Sequence, residues 1–254
     1  LTRARPYLHY IAEELEARGM PADLALLPIV ESAYDPFAYS HGRAAGLWQI
    51  IPGTATRFGI RQNWWYDGRR DVVDSTDGAL AYLEYLHGLM DGDWLLAVAS
   101  YNSGEMNVAR SIKRNQQAKK PIDFFSLRLP RETRGYVPSL LAVAEIISNP
   151  DKYGITLEPI PDEPYFDIVE TGGQIDLSTA ANLTGLSIDE IYTLNPGFNR
   201  WATDPDGPHY MLVPRDKRND FVAGLAAIPK EQRVGWDRHV IQRGESLSQI
   251  ADRY

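Results

Sequence analysis

Glu31 is the residue whose surroundings first indicate chemistry. It follows a run of apolar side chains in the stretch LLPIVESAYDPF, with Leu27 four residues and Leu24 seven residues before it. If this stretch is helical, all three side chains share one face. Burial on such a face disfavours the ionised carboxylate and raises its pKa, so the group could deliver a proton near neutral pH. The alternative explanation is that Glu31 forms a buried ion pair with Arg43 or Arg134. Without further motifs, the helical spacing favours this alternative over a catalytic role.

The composition argues against several other kinds of site. The chain has 254 residues, 44% of them hydrophobic, and a net charge of −8 without a long basic run, which disfavours nucleic acid or an anionic membrane as a partner. There is no cysteine, and the histidines are scattered: His9, His41, His87, His209 and His239. We therefore expect no metal site, no cofactor and no Ser/His or Cys/His nucleophile. No window approaches ~20 consecutive apolar residues, so we predict no membrane span, and any export signal or lipid anchor would lie outside these residues.

A mainly helical domain is predicted for residues 1–158, because apolar side chains recur at helical spacing and no alternating strand pattern is present. One helix is expected over 22–33, with a kink at Pro28. Another begins in the sequence STDGALAYLEYLHGLM, with Ser75 or Asp77 as its cap. The tripeptide NSG interrupts a later buried helix, and a long helix bounded by prolines closes the domain.

The remaining residues alternate proline-rich or charged segments with short strands and helices. A linker of proline and acidic residues (159–164) precedes a segment with the pattern strand, helix, helix, strand (165–215). We interpret 216–238 as a second linker and 239–254 as the start of a truncated copy of the same unit. The copy is indicated because VIQRGESLSQIA aligns with IVETGGQIDLSTAA once two extra residues are allowed in the glycine turn.

Four short motifs, in order along the chain, connect Glu31 to a known family. They are ES (31–32), GLWQ (46–49), SYNSG (100–104) and ETRGYV (132–137). Together they resemble the lysozyme-like domain of family 1 lytic transglycosylases, and within these the membrane-bound lytic murein transglycosylase D type. The two later units resemble LysM modules, which bind glycans containing N-acetylglucosamine. The resemblance implies a mainly α, lysozyme-like catalytic domain followed by a small α+β (βααβ) LysM-like domain.

The resemblance also implies an activity. The family cleaves the β-1,4 bond between N-acetylmuramic acid and N-acetylglucosamine in peptidoglycan without water, leaving a 1,6-anhydromuramoyl end. Glu31 matches the single catalytic acid/base, and the matching substrate-binding residues are Ser40, Trp48, Gln49, Tyr101, Asn102, Glu132 and Tyr136. Two positions depart from the usual pattern. Ser100 stands where alanine is usual, and Trp48 stands where methionine is frequent, which would alter stacking against a sugar.

A second catalytic carboxylate is not evident from the sequence. Asp35 precedes Pro36 and is better explained as a turn residue. An acidic run before a predicted helix is better explained as solvated or capping: Asp67, Asp71, Asp74 and Asp77. Because glycosidases usually need two carboxylates, a single acid favours a substrate-assisted route in which the muramoyl N-acetyl group attacks C1. A hydrogen bond from Tyr101 is expected to orient Glu31.

Other interpretations stay open. Gln49 could satisfy a buried backbone group, and the Asn195-Pro196 turn of the middle unit is expected to be structural first and a glycan contact second. Two alternative functions are a goose-type-like lysozyme, which hydrolyses the same bond, and a non-catalytic peptidoglycan-binding protein. The expected partner is the peptidoglycan glycan strand, and the expected oligomeric state is a monomer. The expected location is the periplasm of a bacterial envelope, with outer-membrane anchoring through a segment outside this chain.

Overall fold

A computed structural model describes residues 1–235, 241–242 and 244–251. The first part of the chain is helical, with α1 (Leu8–Ala17), α2 (Leu27–Ser32), α3 (Pro52–Arg57), α4 (Val72–Leu89), α5 (Trp94–Ser103), α6 (Glu105–Gln117) and α7 (Arg131–Ser148). The second part contains β1 (Phe166–Glu170), α8 (Leu177–Thr184), α9 (Ile188–Leu194), β2 (Tyr210–Pro214), α10 (Arg218–Ala227) and α11 (Leu247–Ala251). The mainly α fold followed by a small α+β unit is therefore confirmed. Across the described residues, no helix is both long and apolar enough to cross a membrane.

The helix that carries Glu31 is shorter than predicted. Ala22–Leu26 form a 3₁₀ turn, and α2 begins only at Leu27. Leu24 therefore lies outside α2 and does not share its face with Glu31. Pro28 occupies the first turn of α2, where a backbone N–H has no partner within the helix. Proline therefore fits this position, and the predicted kink is absent.

The boundaries of α4 and α5 follow their caps. Asp71 begins α4, since its carboxylate accepts hydrogen bonds from the backbone N–H groups of Val73 and Asp74, both at 2.9 Å. The predicted caps Ser75 and Asp77 instead lie inside the helix. The break at NSG is confirmed, because α5 ends at Ser103 and Gly104 adopts a φ of +82°, a conformation that glycine reaches without steric cost.

The core of the first domain forms where α4 and α5 pack together, with α1, α2 and α7 closing around them. Leu80 and Leu83 of α4 are fully buried, as are Ala99 of α5 and Leu27 of α2. Because α2 and α7 both pack on this core, side chains on their outer faces are held at a fixed separation. Glu31 at the end of α2 and Tyr136 on α7 are positioned in this way.

The second unit has the predicted βααβ order. β1 pairs with β2 in antiparallel fashion, from Phe166 opposite Pro214 to Glu170 opposite Tyr210. The helix α9 begins with a capping box in which Ser187 and Glu190 exchange side-chain and backbone hydrogen bonds. Asn195 is fully used inside the unit: its amide donates to the carbonyls of Ile191 and Leu212 and accepts from the Leu212 N–H.

The interpretation of 216–238 as a linker is wrong for most of that segment. It contains α10, which packs on α8 and on both strands. Phe221 is fully buried and Leu225 nearly so, one helical turn apart on the face that meets the unit. Residues 236–240, 243 and 252–254 lie outside the described part of the chain, and within the predicted truncated copy α11 is described.

The second unit packs directly against the first. Tyr66, from the loop before α4, is fully buried and its ring lies 5.6 Å from that of Phe198 in the loop after α9. Phe166 and Leu212 of the strands join the core of the first domain. The Tyr7 hydroxyl adds a hydrogen bond of 2.8 Å to the Thr193 carbonyl. The two units are therefore joined by a shared apolar contact as well as by residues 159–164.

Candidate active site

One cavity of about 550 Å³ gathers nearly all of the predicted site residues. Its lining includes Glu31, Ser40, Gln49, Tyr101, Asn102, Glu132 and Tyr136. These side chains come from the end of α2, from the loop between α2 and α3, from α5 and from the first turns of α7. Residues distant in sequence therefore meet in one cleft, and Trp48 is the only predicted residue outside it.

The Glu31 carboxyl is half-buried at the cleft and accepts a hydrogen bond from the Tyr136 hydroxyl. Its pKa is raised to about 7, because burial disfavours the charged form. The hydrogen bond from Tyr136 lowers the pKa somewhat, and the nearby negative charge of Glu132 raises it. No cation contributes to this shift, so the ion-pair alternative has no support among the described residues.

Hydrogen bonds fix the backbone that follows Glu31. The Ser32 hydroxyl donates to the Leu47 carbonyl at 2.9 Å, which ties the end of α2 to the loop before α3. Ala33 and Tyr34 then adopt φ values of 51° and 57°, in the left-handed region that non-glycine residues rarely occupy. The Tyr34 hydroxyl donates to the Ala25 carbonyl at 2.6 Å and anchors this reversal. Such local strain is typical of functional sites, where surrounding structure enforces it.

A second carboxylate does line the cleft. Glu132 and Tyr136 lie one turn apart on α7 and face the same side. The Asn102 amide donates to Glu132 at 3.2 Å, and the Thr133 hydroxyl donates to the Asn102 carbonyl oxygen at 2.8 Å. The expectation of no well-placed second acid considered the aspartates, and it is met only in part for them, because Asp67 pairs with buried Arg69 and Asp74 accepts from the Tyr66 hydroxyl. Asp35 accepts from the Phe37 N–H as a turn residue, and Asp71 caps a helix.

Ser40 and Gln49 line the cleft and also hold their own loop. The Gln49 amide nitrogen donates to the carbonyls of Gly46 at 2.9 Å and Ala38 at 3.2 Å, while its backbone takes a φ of 48°. The Ser40 hydroxyl accepts from the Ala44 N–H at 3.0 Å. The interpretation of Gln49 as a residue that satisfies backbone groups is thus correct, and its Oε1 remains available to a ligand.

Tyr101 and Trp48 are placed differently from the sequence-based expectation. The Tyr101 hydroxyl donates to the Trp48 carbonyl at 2.7 Å and not to Glu31. Trp48 is fully buried, and its indole N–H donates to the Thr76 hydroxyl at 3.0 Å. Trp48 therefore packs in the core, while the next residue, Gln49, faces the cleft. Trp48 cannot stack on a sugar from this position.

Comparison with known proteins assigns the chain. Residues 9–124 match the transglycosylase SLT domain, and residues 165–230 match the LysM-like domain of the lytic transglycosylase MltD. The membrane-bound lytic murein transglycosylase D of Escherichia coli (strain K12) is 39% identical over 99% of this chain. The chain belongs to the lytic murein transglycosylase D family. It spans 58% of the length of that relative.

Two further similarities are partial. A protein of Alteromonas sp. (strain M-1), named for tributyltin chloride resistance, is 43% identical over 58% of this chain and 71% of its own length. The 70 kDa soluble lytic transglycosylase of Escherichia coli covers 52% of this chain and 22% of that chain, at 25% identity and a TM-score of 0.41. That score is too low to support any detail of the site.

The cleft of this family member also contains side chains that sequence reasoning missed, among them Thr54 and Tyr82. Thr54 belongs to α3 and Tyr82 to α4, and both line the cavity together with Ser103 and Gly104. The Tyr82 hydroxyl donates to Glu105 at 3.3 Å, and Glu105 pairs with Arg57 at 3.1 Å. Tyr82 belongs to the apolar stripe of α4, so its sequence context gives no sign that its edge reaches a cavity.

Proposed function

We propose that this chain is the catalytic part of a peptidoglycan lytic transglycosylase that cleaves the bond from N-acetylmuramic acid to N-acetylglucosamine. One observation supports this most strongly: Glu31 faces an open cavity as a half-buried carboxyl with a pKa raised to about 7 and a single hydrogen-bond donor, Tyr136. Such a group is partly protonated near neutral pH and can both give and take a proton.

In the first step, Glu31 donates its proton to the glycosidic oxygen while the bond from that oxygen to muramoyl C1 breaks. The carbonyl oxygen of the muramoyl N-acetyl group attacks C1 and forms a cyclic oxazolinium. The Tyr136 hydroxyl stabilises the carboxylate that Glu31 becomes. This step needs no second protein carboxylate as nucleophile.

In the second step, the Glu31 carboxylate removes the proton of the muramoyl 6-hydroxyl. The freed oxygen attacks C1, the bond from C1 to the oxazolinium oxygen breaks, and the N-acetyl group is restored. Glu31 ends protonated, as it began, and no water is consumed. The product carries a 1,6-anhydro ring.

The other cleft side chains would bind the glycan. Gln49 offers its Oε1, Ser40 its hydroxyl hydrogen, and Asn102 and Glu132 form a polar wall held by Thr133. Peptidoglycan strands in the bacterial envelope, and in particular the periplasm, are the proposed substrate. The proposed active form is a monomer.

The ends of the released muropeptides test the proposal. Purified peptidoglycan is digested with the parental chain and with Glu31→Gln, and the products are identified by mass spectrometry. We expect ends lighter by one water from the parental chain and no release by the variant. Hydrolysed ends would instead identify a lysozyme, for which Glu132 is the available base. Binding to peptidoglycan without release by either protein would identify a binding protein.

A further inference from the structure

The cleft wall that carries Ser40 and Gln49 is held from behind by Arg69. The Arg69 side chain is almost fully buried, and its Nη1 donates to the Arg43 carbonyl at 2.6 Å and the Ile50 carbonyl at 3.4 Å. Gly46 of this wall packs so closely on the chain at Arg69 that a Cβ there would fall 2.0 Å from the Arg69 carbonyl oxygen. The loop from residue 38 to 50 therefore takes its shape from the position of Arg69.

Arg69 is in turn fixed by Asp67. The Asp67 carboxylate accepts from Nε at 2.9 Å and from Nη2 at 2.7 Å. This two-point contact sets the plane of the guanidinium as well as its distance, which leaves Nη1 aimed at the loop carbonyls. Any shift of Asp67 is passed on to the wall of the cleft.

Asp67 is held in place by hydrogen bonds between its chain segment and the LysM-like unit. Its backbone N–H donates to the Gly197 carbonyl at 2.8 Å. Two residues earlier, the Trp65 carbonyl accepts from the Asn199 N–H at 2.7 Å. Between these bonds, Tyr66 is buried against Phe198. The loop after α9 thus fixes the chain segment immediately before Arg69 through two backbone hydrogen bonds and one aromatic contact.

We propose that the LysM-like unit acts as a fixed brace for the active-site cleft, and that Gly197, Asp67 and Arg69 form the path by which it positions Ser40 and Gln49. Asp67 and Arg69 are then positioning residues, since neither lines the cleft. The inference rests on the proposed function for its effect on rate. It differs from a glycan-binding role of the unit, which would act on long substrates alone.

Gly197→Ala tests the brace from the side of the LysM-like unit. A Cβ at Gly197 would lie 2.7 Å from Tyr66 Cε2 and 3.0 Å from Asp71 Cβ, so the contact must open. We expect kcat/KM on a soluble muropeptide tetrasaccharide to fall on the order of ten- to a hundredfold, as misplacement of substrate contacts does. Backbone amides of residues 38–50 should exchange hydrogen faster, while those of α7 should be unchanged. Gly88→Ala is the matched control, because nothing lies within 4 Å of a Cβ there.

Arg69→Gln breaks the last link of the same path and leaves the Gly197 contact intact. If both variants act on one path, their effects are not additive. The double variant should then be no less active than the less active of the two single variants. The inference is overturned if losses multiply, if Gly197→Ala leaves exchange in 38–50 unchanged, or if activity is lost on whole peptidoglycan alone. Should the parental chain release no product, the proposed function fails, and the exchange measurement still decides whether the brace exists.

Discussion

Two buried carboxylates, Glu31 in the cleft and Asp71 at the contact between the units, share most of their chemistry. Burial raises the pKa of Glu31 to about 7 and that of Asp71 to about 6. Each accepts a tyrosine hydroxyl, from Tyr136 and Tyr210 respectively. They differ in access. Asp71 is 1% exposed and also accepts two backbone N–H groups as a helix cap, whereas Glu31 has one donor and faces a cavity of about 550 Å³.

This difference separates a structural acid, Asp71, from the proposed catalytic acid, Glu31. A raised pKa results from desolvation, and both the cleft and the contact between the units desolvate their carboxylate. Only a carboxyl with a free side toward a cavity can exchange a proton with a bound molecule. Substituting each acid by the corresponding amide, Glu31→Gln and Asp71→Asn, therefore gives a matched pair of tests.

The largest effect is expected from Glu31→Gln. The amide keeps the shape of the side chain but cannot transfer a proton, so muropeptide release should fall on the order of a thousandfold or more. Asp71→Asn should keep most of the parental rate, because Asp71 does not line the cleft. An equal loss in both variants would break the distinction between the two sites.

Tyr136→Phe should sharpen the comparison. The Tyr136 hydroxyl lowers the pKa of Glu31, so its removal should move the alkaline limb of the pH profile to higher pH. We also expect kcat to fall on the order of tenfold, since the acid loses its oriented partner. Tyr101→Phe is the control, because that hydroxyl bonds the Trp48 carbonyl and should leave the limb where it is. The same limb in Tyr136→Phe and the parental chain would contradict this assignment.

Titration of Asp71 should make the free energy of unfolding depend on pH. Its folded-state pKa of about 6 exceeds the ordinary 3.8, so its stabilising contribution is complete below the lower value and is lost as pH rises through the higher one. Asp71→Asn should remove that part of the pH dependence, about 1 to 3 kcal/mol of the free energy of unfolding. Urea unfolding across this pH range measures it. A slope identical to that of the parental chain would show that Asp71 does not titrate in this window.

The smallest effect concerns the residue behind the cleft. Thr76→Val leaves the buried Trp48 N–H without its acceptor, which should cost about 1 to 2 kcal/mol of stability. The value of KM for a short glycan should be unchanged, because Trp48 is not in the cleft. Thermal unfolding and steady-state kinetics on one preparation check both. A raised KM would mean that the Trp48 side chain influences sugar binding.

Local signals made much of the fold predictable. The break at Gly104 depends on neighbouring residues alone and was predicted, whereas the predicted caps Ser75 and Asp77 lie inside α4. The residues that line the cleft were predicted from the order of four motifs rather than from periodicity. Helical spacing was in fact misleading at Leu24, which lies in a 3₁₀ turn.

What could not be predicted depends on contacts between distant parts of the chain. Trp48 faces the core, where its indole N–H donates to the Thr76 hydroxyl of α4, and the residue types around position 48 do not indicate this contact. The packing of Tyr66 on Phe198 joins two units that have separate sequence patterns. The spacing of Phe221 and Leu225 in α10 was a visible helical signal, obscured by the charged residues before it.

The pH dependence of kcat/KM on a soluble muropeptide tests the central claim most directly, since it reports the protonation of the free enzyme's essential acid. The parental chain should lose activity as pH rises through about 7, the pKa of Glu31. Asp71→Asn should show the same limb, and Tyr136→Phe a limb at higher pH. A limb that moves with Asp71→Asn, or a rate that stays constant well above pH 7, would contradict the assignment of Glu31 as the proton donor.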